Sequence, residues 1–119
     1  MRPDILSIQH TDETTGAVRT AVVQLALPAD HCAFAGHFPG RPILPGVVQL
    51  DWAVQLAAIC FGYDFRPARR LRVKFMRIIT PCPSVLSVSL RYDPARAEIA
   101  FDYRIGDILA SSGSACLDP

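Results

Sequence analysis

The sequence carries little charge and no bias of sign. Only 19% of its 119 residues are Asp, Glu, Lys or Arg, and 12 basic against 11 acidic residues leave a formal net charge of +1. That balance supplies no global field for non-specific nucleic-acid binding, so no nucleic acid is expected as a partner. No window reaches the roughly 20 uninterrupted apolar residues that span a bilayer, so no membrane span is expected. The opening residues meet an acidic side chain at Asp4 and lack an apolar stretch followed by a small-residue cleavage site. This speaks against a signal peptide and for a cytoplasmic protein. The four cysteines, Cys32, Cys60, Cys82 and Cys116, form no C-x-x-C pair, and His10, His31 and His37 are not spaced with them like zinc ligands. Reduced, mostly buried thiols and no metal site are the expectation.

Apolar material, in contrast, is abundant. Half of the residues are hydrophobic and the mean hydropathy is +0.25, which excludes a disordered chain. The length suits one domain over residues 1–119. In a domain of this size the surface is large relative to the volume, so so apolar a chain is expected to bury some of it against a second copy.

Apolar-rich segments at Ile5 to Gln9 and Val18 to Leu27 flank the polar stretch Thr11 to Gly16 and read as two hairpin-connected strands. A loop follows from Pro28 to Pro45. Its last part, Gly36 to Gly46, holds three prolines and three glycines in eleven residues, which fixes an irregular backbone. From Val47 to Phe61 only Gln49, Asp51 and Gln55 are polar, so this segment predicts a helix buried nearly all round. At about 1.5 Å per residue it is about 22 Å long, short for a membrane span. Pro45 and Gly46 suit its first turn and Gly62 its C-terminal cap. The remainder alternates: Leu71, Val73 and Phe75 against Arg72 and Lys74; Leu86, Val88, Leu90 and Tyr92 against Ser87, Ser89 and Arg91; Ile99, Phe101, Tyr103 and Ile105 against Glu98, Asp102 and Arg104. These predict half-exposed antiparallel strands, with a last strand from Ile108 to Leu117. An α+β fold follows: a curved antiparallel β-sheet wrapped around one long buried central helix.

Asp51 and Gln55 are four residues apart, so on a helix they share a face and can touch. A carboxylate in an apolar helix costs on the order of several kcal/mol unless paired or solvated, which draws attention to Asp51; a carboxylate bridging backbone groups at a kink is the plainer alternative. His37 lies in the constrained loop that leads into this helix, so two groups suited to acid and base work come from one segment. A histidine in a loop is also commonly a surface or packing residue. Backbone N–H groups near Gly46 and Val47 are placed to bind a carbonyl oxygen that gathers negative charge. Base, acid and oxyanion donors together suggest proton abstraction beside a carbonyl.

The run His37-Phe-Pro-Gly-Arg-Pro-Ile-Leu-Pro-Gly-Val-Val-Gln-Leu-Asp51-Trp-Ala-Val-Gln55 resembles the active-site segment of the FabA/FabZ-type 3-hydroxyacyl-[acyl-carrier-protein] dehydratases, which have the hot-dog fold. Lys74, Phe75 and Arg77 look like the corresponding stretch after the helix. The acid is Asp, as in the FabA type, whereas His-Phe-Pro-Gly is more FabZ-like; Leu-Pro-Gly-Val-Val-Gln-Leu-Asp-Trp is most similar to the small ApeI-like branch, associated with aryl polyene biosynthesis. The resemblance implies a dimer whose shared site takes His37 from one protomer and Asp51 from the other. His37 would be the general base, Asp51 the general acid, Gln55 its orienting partner, and the Gly46 amide the thioester oxygen's donor. No metal or redox cofactor is implied; the substrate rides on the phosphopantetheine arm of an acyl carrier protein. Phe38, Leu44 and Trp52 would line the tunnel for that arm, with ordinary core packing as the equal alternative.

Arg66, Arg69, Arg70, Arg72, Lys74 and Arg77 place six of the twelve basic residues in a twelve-residue window with no acid. A basic patch of this kind would steer an acidic carrier protein, where the alternatives are a solvated strand face or nucleic acid. A homodimer, a higher oligomer of dimers or a heterodimer with a related subunit are all consistent with the sequence. Two other functions stay open, a hot-dog acyl thioesterase and a non-catalytic acyl-binding subunit.

Overall fold

The computed structural model describes residues 3–11, 18–27, 43–62, 67–80 and 85–117, with the side chains of residues 11, 67–70 and 117 outside that description. The elements, in chain order, are β1 (Asp4–Thr11), β2 (Arg19–Ala26), α1 (Gly46–Phe61), β3 (Pro67–Phe75), β4 (Leu86–Asp93), β5 (Glu98–Ile105) and β6 (Ile108–Leu117). The strands form one antiparallel sheet in the order β1-β2-β4-β5-β6-β3. Period-2 alternation explains its inner face: Ala21, Val23 and Leu25 of β2, Leu86, Val88 and Leu90 of β4, and Ile99, Phe101 and Tyr103 of β5 are all buried. Register places them side by side, with Val23 opposite Val88 and Val88 opposite Tyr103. One close approach demands a glycine. A Cβ on Gly113 of β6 would lie 2.5 Å from the Phe101 ring and 2.8 Å from the Arg72 carbonyl oxygen.

The helix begins after Pro45, whose φ of −62° and ψ of 149° are extended, and ends at Gly62, which has a left-handed φ of 77° and donates its N–H to the Ala58 carbonyl. Trp52, Ala53, Leu56, Ala57, Cys60 and Phe61 seat it on the inner face of the sheet, chiefly over β2 and β4. Burial of each large apolar side chain contributes about 1.5–3 kcal/mol.

The single chain departs from the sequence reading in two places. The helix is not buried all round, because Val47 is 73% and Ile59 56% exposed, and Asp51 is exposed between them. With Gln55 these residues recur every four positions and form one open stripe. In β3, Leu71 and Phe75 are 49% and 55% exposed instead of facing a core. The cause is position: β3 is the outer edge beyond β6, whereas the helix covers β2 and β4 on the other half of the sheet. Gly62 and Pro45 bound the helix as the sequence indicates.

Candidate active site

The first intrahelical bonds run from the Val48 and Gln49 amides to the Pro45 carbonyl, at 3.1 and 3.0 Å. The Gly46 and Val47 N–H groups stand ahead of that ladder, at the positive end of the helix dipole. Gly46 is also a steric requirement, since a Cβ there would meet the Phe75 ring at 2.6 Å. Beside this turn lies a cavity of about 480 Å³ whose walls include Leu44, Gly46, Gln49, Phe75, Arg77 and Ile78.

One turn along the exposed stripe, Gln55 Nε2 donates to Asp51 Oδ2 at 2.7 Å. The i, i+4 spacing allows this bond, and it fixes one carboxylate oxygen while leaving the other available. Gln55 also lines a second groove, of about 470 Å³, with Pro3, Ile5, Ala58 and Ile59. The far end of the stripe therefore borders this groove, with the acid one turn ahead of it.

Inside the helix the third polar residue behaves differently. Gln49 is 4% exposed, and its side-chain amide is engaged at both ends: Nε2 donates to the Leu44 carbonyl at 3.0 Å, and Oε1 accepts from Ser111 Oγ at 2.7 Å. Its backbone carbonyl accepts from the Tyr103 hydroxyl at 2.5 Å. Burial, and secondarily the negative charge of Asp51, push the Tyr103 phenol well above its ordinary value near 10. The sequence singles out Gln49 only as polar; Ser111 and Tyr103 lie 62 and 54 residues further on, and no spacing rule joins them to it.

The other sequence candidates divide as follows. His37, Phe38 and Arg66 lie outside the described residues, as do the side chains of Arg69 and Arg70 on β3. Leu44 is buried at 1% beside the cavity, and Trp52, at 0%, packs within the core cluster. Of the basic window, the side chains of Arg72, Lys74 and Arg77 are described, and they stand at two different concavities. Arg72 and Lys74 border a shallow depression of about 330 Å³ with Asp102, Ser112 and Ser114, whereas Arg77 stands at the cavity beside Gly46. Strand alternation accounts for Arg72 and Lys74, and Arg77 falls after β3 has ended. Among the described residues, no group of three or more His, Cys, Asp or Glu is placed to hold a metal ion, and no helix is long and apolar enough to cross a membrane.

A family model described as ApeI-like, ApeI dehydratase, matches residues 9–114. The 3-hydroxyacyl-[acyl-carrier-protein] dehydratases FabZ of Rickettsia massiliae and Roseobacter denitrificans are 32% and 38% identical, over 56% and 60% of this chain and 50% and 45% of their own. The chain thus spans about half the length of the curated relatives it matches. Among solved structures, a chain of the dehydratase heterocomplex ApeI:P from Xenorhabdus doucetiae aligns with a TM-score of 0.85 at 28% identity, covering 100% of both chains. An uncharacterized protein from Erwinia carotovora subsp. atroseptica aligns at 0.86 and 31% identity, covering 100% of this chain and 98% of that one. The Lactococcus lactis protein yhdA, described as a thioesterase, aligns at 0.54 and 12% identity over 98% of this chain and 93% of its own, a likeness of hot-dog fold alone.

Proposed function

Because this chain belongs to the ApeI-like dehydratase family, we propose that it removes water from a 3-hydroxyacyl thioester carried on an acyl carrier protein and releases the trans-2-enoyl thioester. The carrying observation is the Asp51–Gln55 pair at 2.7 Å, on the open stripe that starts at Val47, one turn after the Gly46 and Val47 amides at the helix start. His37 is the base, a role that rests on the His-Phe-Pro-Gly run. It takes the C2 proton while the Gly46 amide holds the thioester oxygen, on which negative charge builds. The C2 electron pair then forms the C2=C3 bond, the C3–O bond breaks, and Asp51 protonates the departing hydroxyl to give water. Proton transfers suffice for this reaction, so no metal or redox cofactor is assigned.

The open stripe supports a site shared between two chains, since Val47 and Ile59 present apolar surface on either side of Asp51. The partner is a second copy or a related subunit, a choice the Xenorhabdus heterocomplex makes natural. Arg77, which lines the cavity beside Gly46, is assigned to the acidic carrier together with Arg66, Arg69 and Arg70; Arg72 and Lys74 line the other depression. The acyl group is fatty-acid-like or belongs to an aryl polyene, and the reaction is placed in the cytoplasm.

Two inactive variants test the mechanism. Asp51→Asn and His37→Ala should each lower turnover of a 3-hydroxyacyl carrier-protein substrate by about 10²- to 10⁴-fold with the fold retained. Mixing them with verified subunit exchange should restore activity through heterodimers that hold one intact site. Wild-type rates in either variant would refute the assignment, and no recovery on mixing would refute the shared site.

A further inference from the structure

We propose that Gln49 is a positioning residue that sets the direction of the oxyanion-binding amides, anchored by Ser111 and Tyr103; the inference rests on the dehydratase reading of the helix start. Burying a primary amide costs about 1–3 kcal/mol unless its groups are bonded. Here both ends of the Gln49 amide are bonded, and what they bond is informative. The side chain holds the carbonyl of Leu44 and the backbone N–H holds the carbonyl of Pro45. One residue thereby ties two consecutive peptide planes.

The second of those planes contains the Gly46 N–H. With the Pro45 carbonyl pointed into the helix, the Gly46 N–H on the same rigid plane points the opposite way, out of the helix start. The chain entering the first plane is anchored too, because the Leu44 amide, in the preceding peptide plane, donates to the Ile79 carbonyl at 2.7 Å. Between the two planes, proline restricts φ, which leaves little freedom. Ser111 Oγ fixes which way the Gln49 amide faces: by donating to Oε1 it leaves Nε2 for Leu44. The Tyr103 hydroxyl holds the Gln49 carbonyl from the opposite strand. A preorganised donor loses its advantage when its direction is free, and misplacement by about 1 Å costs on the order of 10²-fold in rate.

Three variants of the full chain, measured as the assembled protein, test this. Gln49→Met keeps the length and removes the two side-chain hydrogen bonds, to Leu44 and Ser111, while leaving those of the backbone. It should lower kcat by about 10- to 100-fold with KM changed less than about threefold. In hydrogen–deuterium exchange, the Leu44 amide should lose at least about tenfold protection relative to the β4 amides. Gln49→Glu supplies the sharper readout. The protonated acid can donate to Leu44 and accept from Ser111 as the amide does, whereas the carboxylate cannot donate. Its kcat relative to wild type should therefore rise at least about tenfold between about pH 8 and about pH 6, while the same ratio for Gln49→Met stays flat. Should Gln49→Met fail to fold, Ser111→Ala removes only the orienting bond and should lower kcat about 3- to 10-fold with the same loss of Leu44 protection. Unchanged kcat, a flat Gln49→Glu ratio or unchanged Leu44 exchange would each overturn the proposal. A wild-type protein without turnover would instead overturn the dehydratase reading, and the exchange result would still decide whether Gln49 holds the turn.

Discussion

Gln49 and Asp51 are two positions apart, about 200° around the helix, and that rotation separates their roles. Gln49 faces inward at 4% exposure and is bonded on both sides, whereas Asp51 faces outward with one oxygen held by Gln55. The i, i+4 pair was legible in the sequence because helix geometry is local. The partners of Gln49 were not, because they come from β5 and β6, and only the folded sheet brings them to the helix. Tyr103 makes the inward side measurable. Its phenol is favoured in the neutral form by burial and then by the Asp51 charge, so its folded pKa is above the unfolded one. The associated stability is fully present below about pH 10 and falls above it, by up to about 1.4 kcal/mol per pH unit. Tyr103→Phe loses the bond to Gln49, so it should be about 1 kcal/mol less stable near neutral pH. Urea unfolding from about pH 8 to about pH 11 should show that deficit shrinking as pH rises, since only wild type carries the penalty. A deficit independent of pH would contradict the assignment.

Among the elements, the helix ends were the most legible because both are set by residues with restricted or unusual backbone preferences, Pro45 and Gly62. The C-terminal end has a further support that no local pattern reveals. Arg19 of β2 donates from Nη1 to the Phe61 carbonyl at 3.0 Å, and its guanidinium lies 5.6 Å from the centre of the Phe61 ring. A cation there complements the negative end of the helix dipole. Arg19→Ala should therefore lower the unfolding free energy by about 1 kcal/mol, with Arg19→Lys recovering part of it, in denaturant titrations at low salt. Equal stability of Arg19→Ala and wild type would show the contact to be incidental. The alternation in β3 was misleading for the opposite reason. Leu71, Val73 and Phe75 have the right period, but a period states only that one face is apolar and not what covers it. Here Val73 packs against the core cluster and the Phe75 ring reaches Gly46 at the helix start, while Leu71 and about half of Phe75 remain exposed.

Over the whole molecule, the distribution of charge matters more than its sum. A net charge of +1 conceals a window of six basic residues, whose three described side chains stand at two different concavities. Arg77 stands at the cavity beside Gly46, and Arg72 and Lys74 border the Asp102 depression. If the carrier approaches the cavity, Arg77→Ala should raise KM for a carrier-linked substrate about 3- to 10-fold with little effect on a short thioester analogue, and Arg72→Ala with Lys74→Ala should have the smaller effect. Equal effects on both substrates, or a larger effect from the Arg72 and Lys74 pair, would place the carrier elsewhere.

The strand order also governs how the molecule must assemble in time. β3 is the next strand after the helix, yet among the described residues its neighbour in the sheet is β6, the last strand, with Phe75 opposite Ser111 and Pro67 opposite Leu117. Pairing across such separations is slow compared with hairpin closure, so a nascent chain displays β3 before its neighbour exists. A strand bearing Leu71, Val73 and Phe75 in that interval is a template for unwanted association between chains. Arg72 and Lys74 alternate with those apolar residues and act as gatekeepers, so a basic strand face has a use during folding that is independent of any carrier.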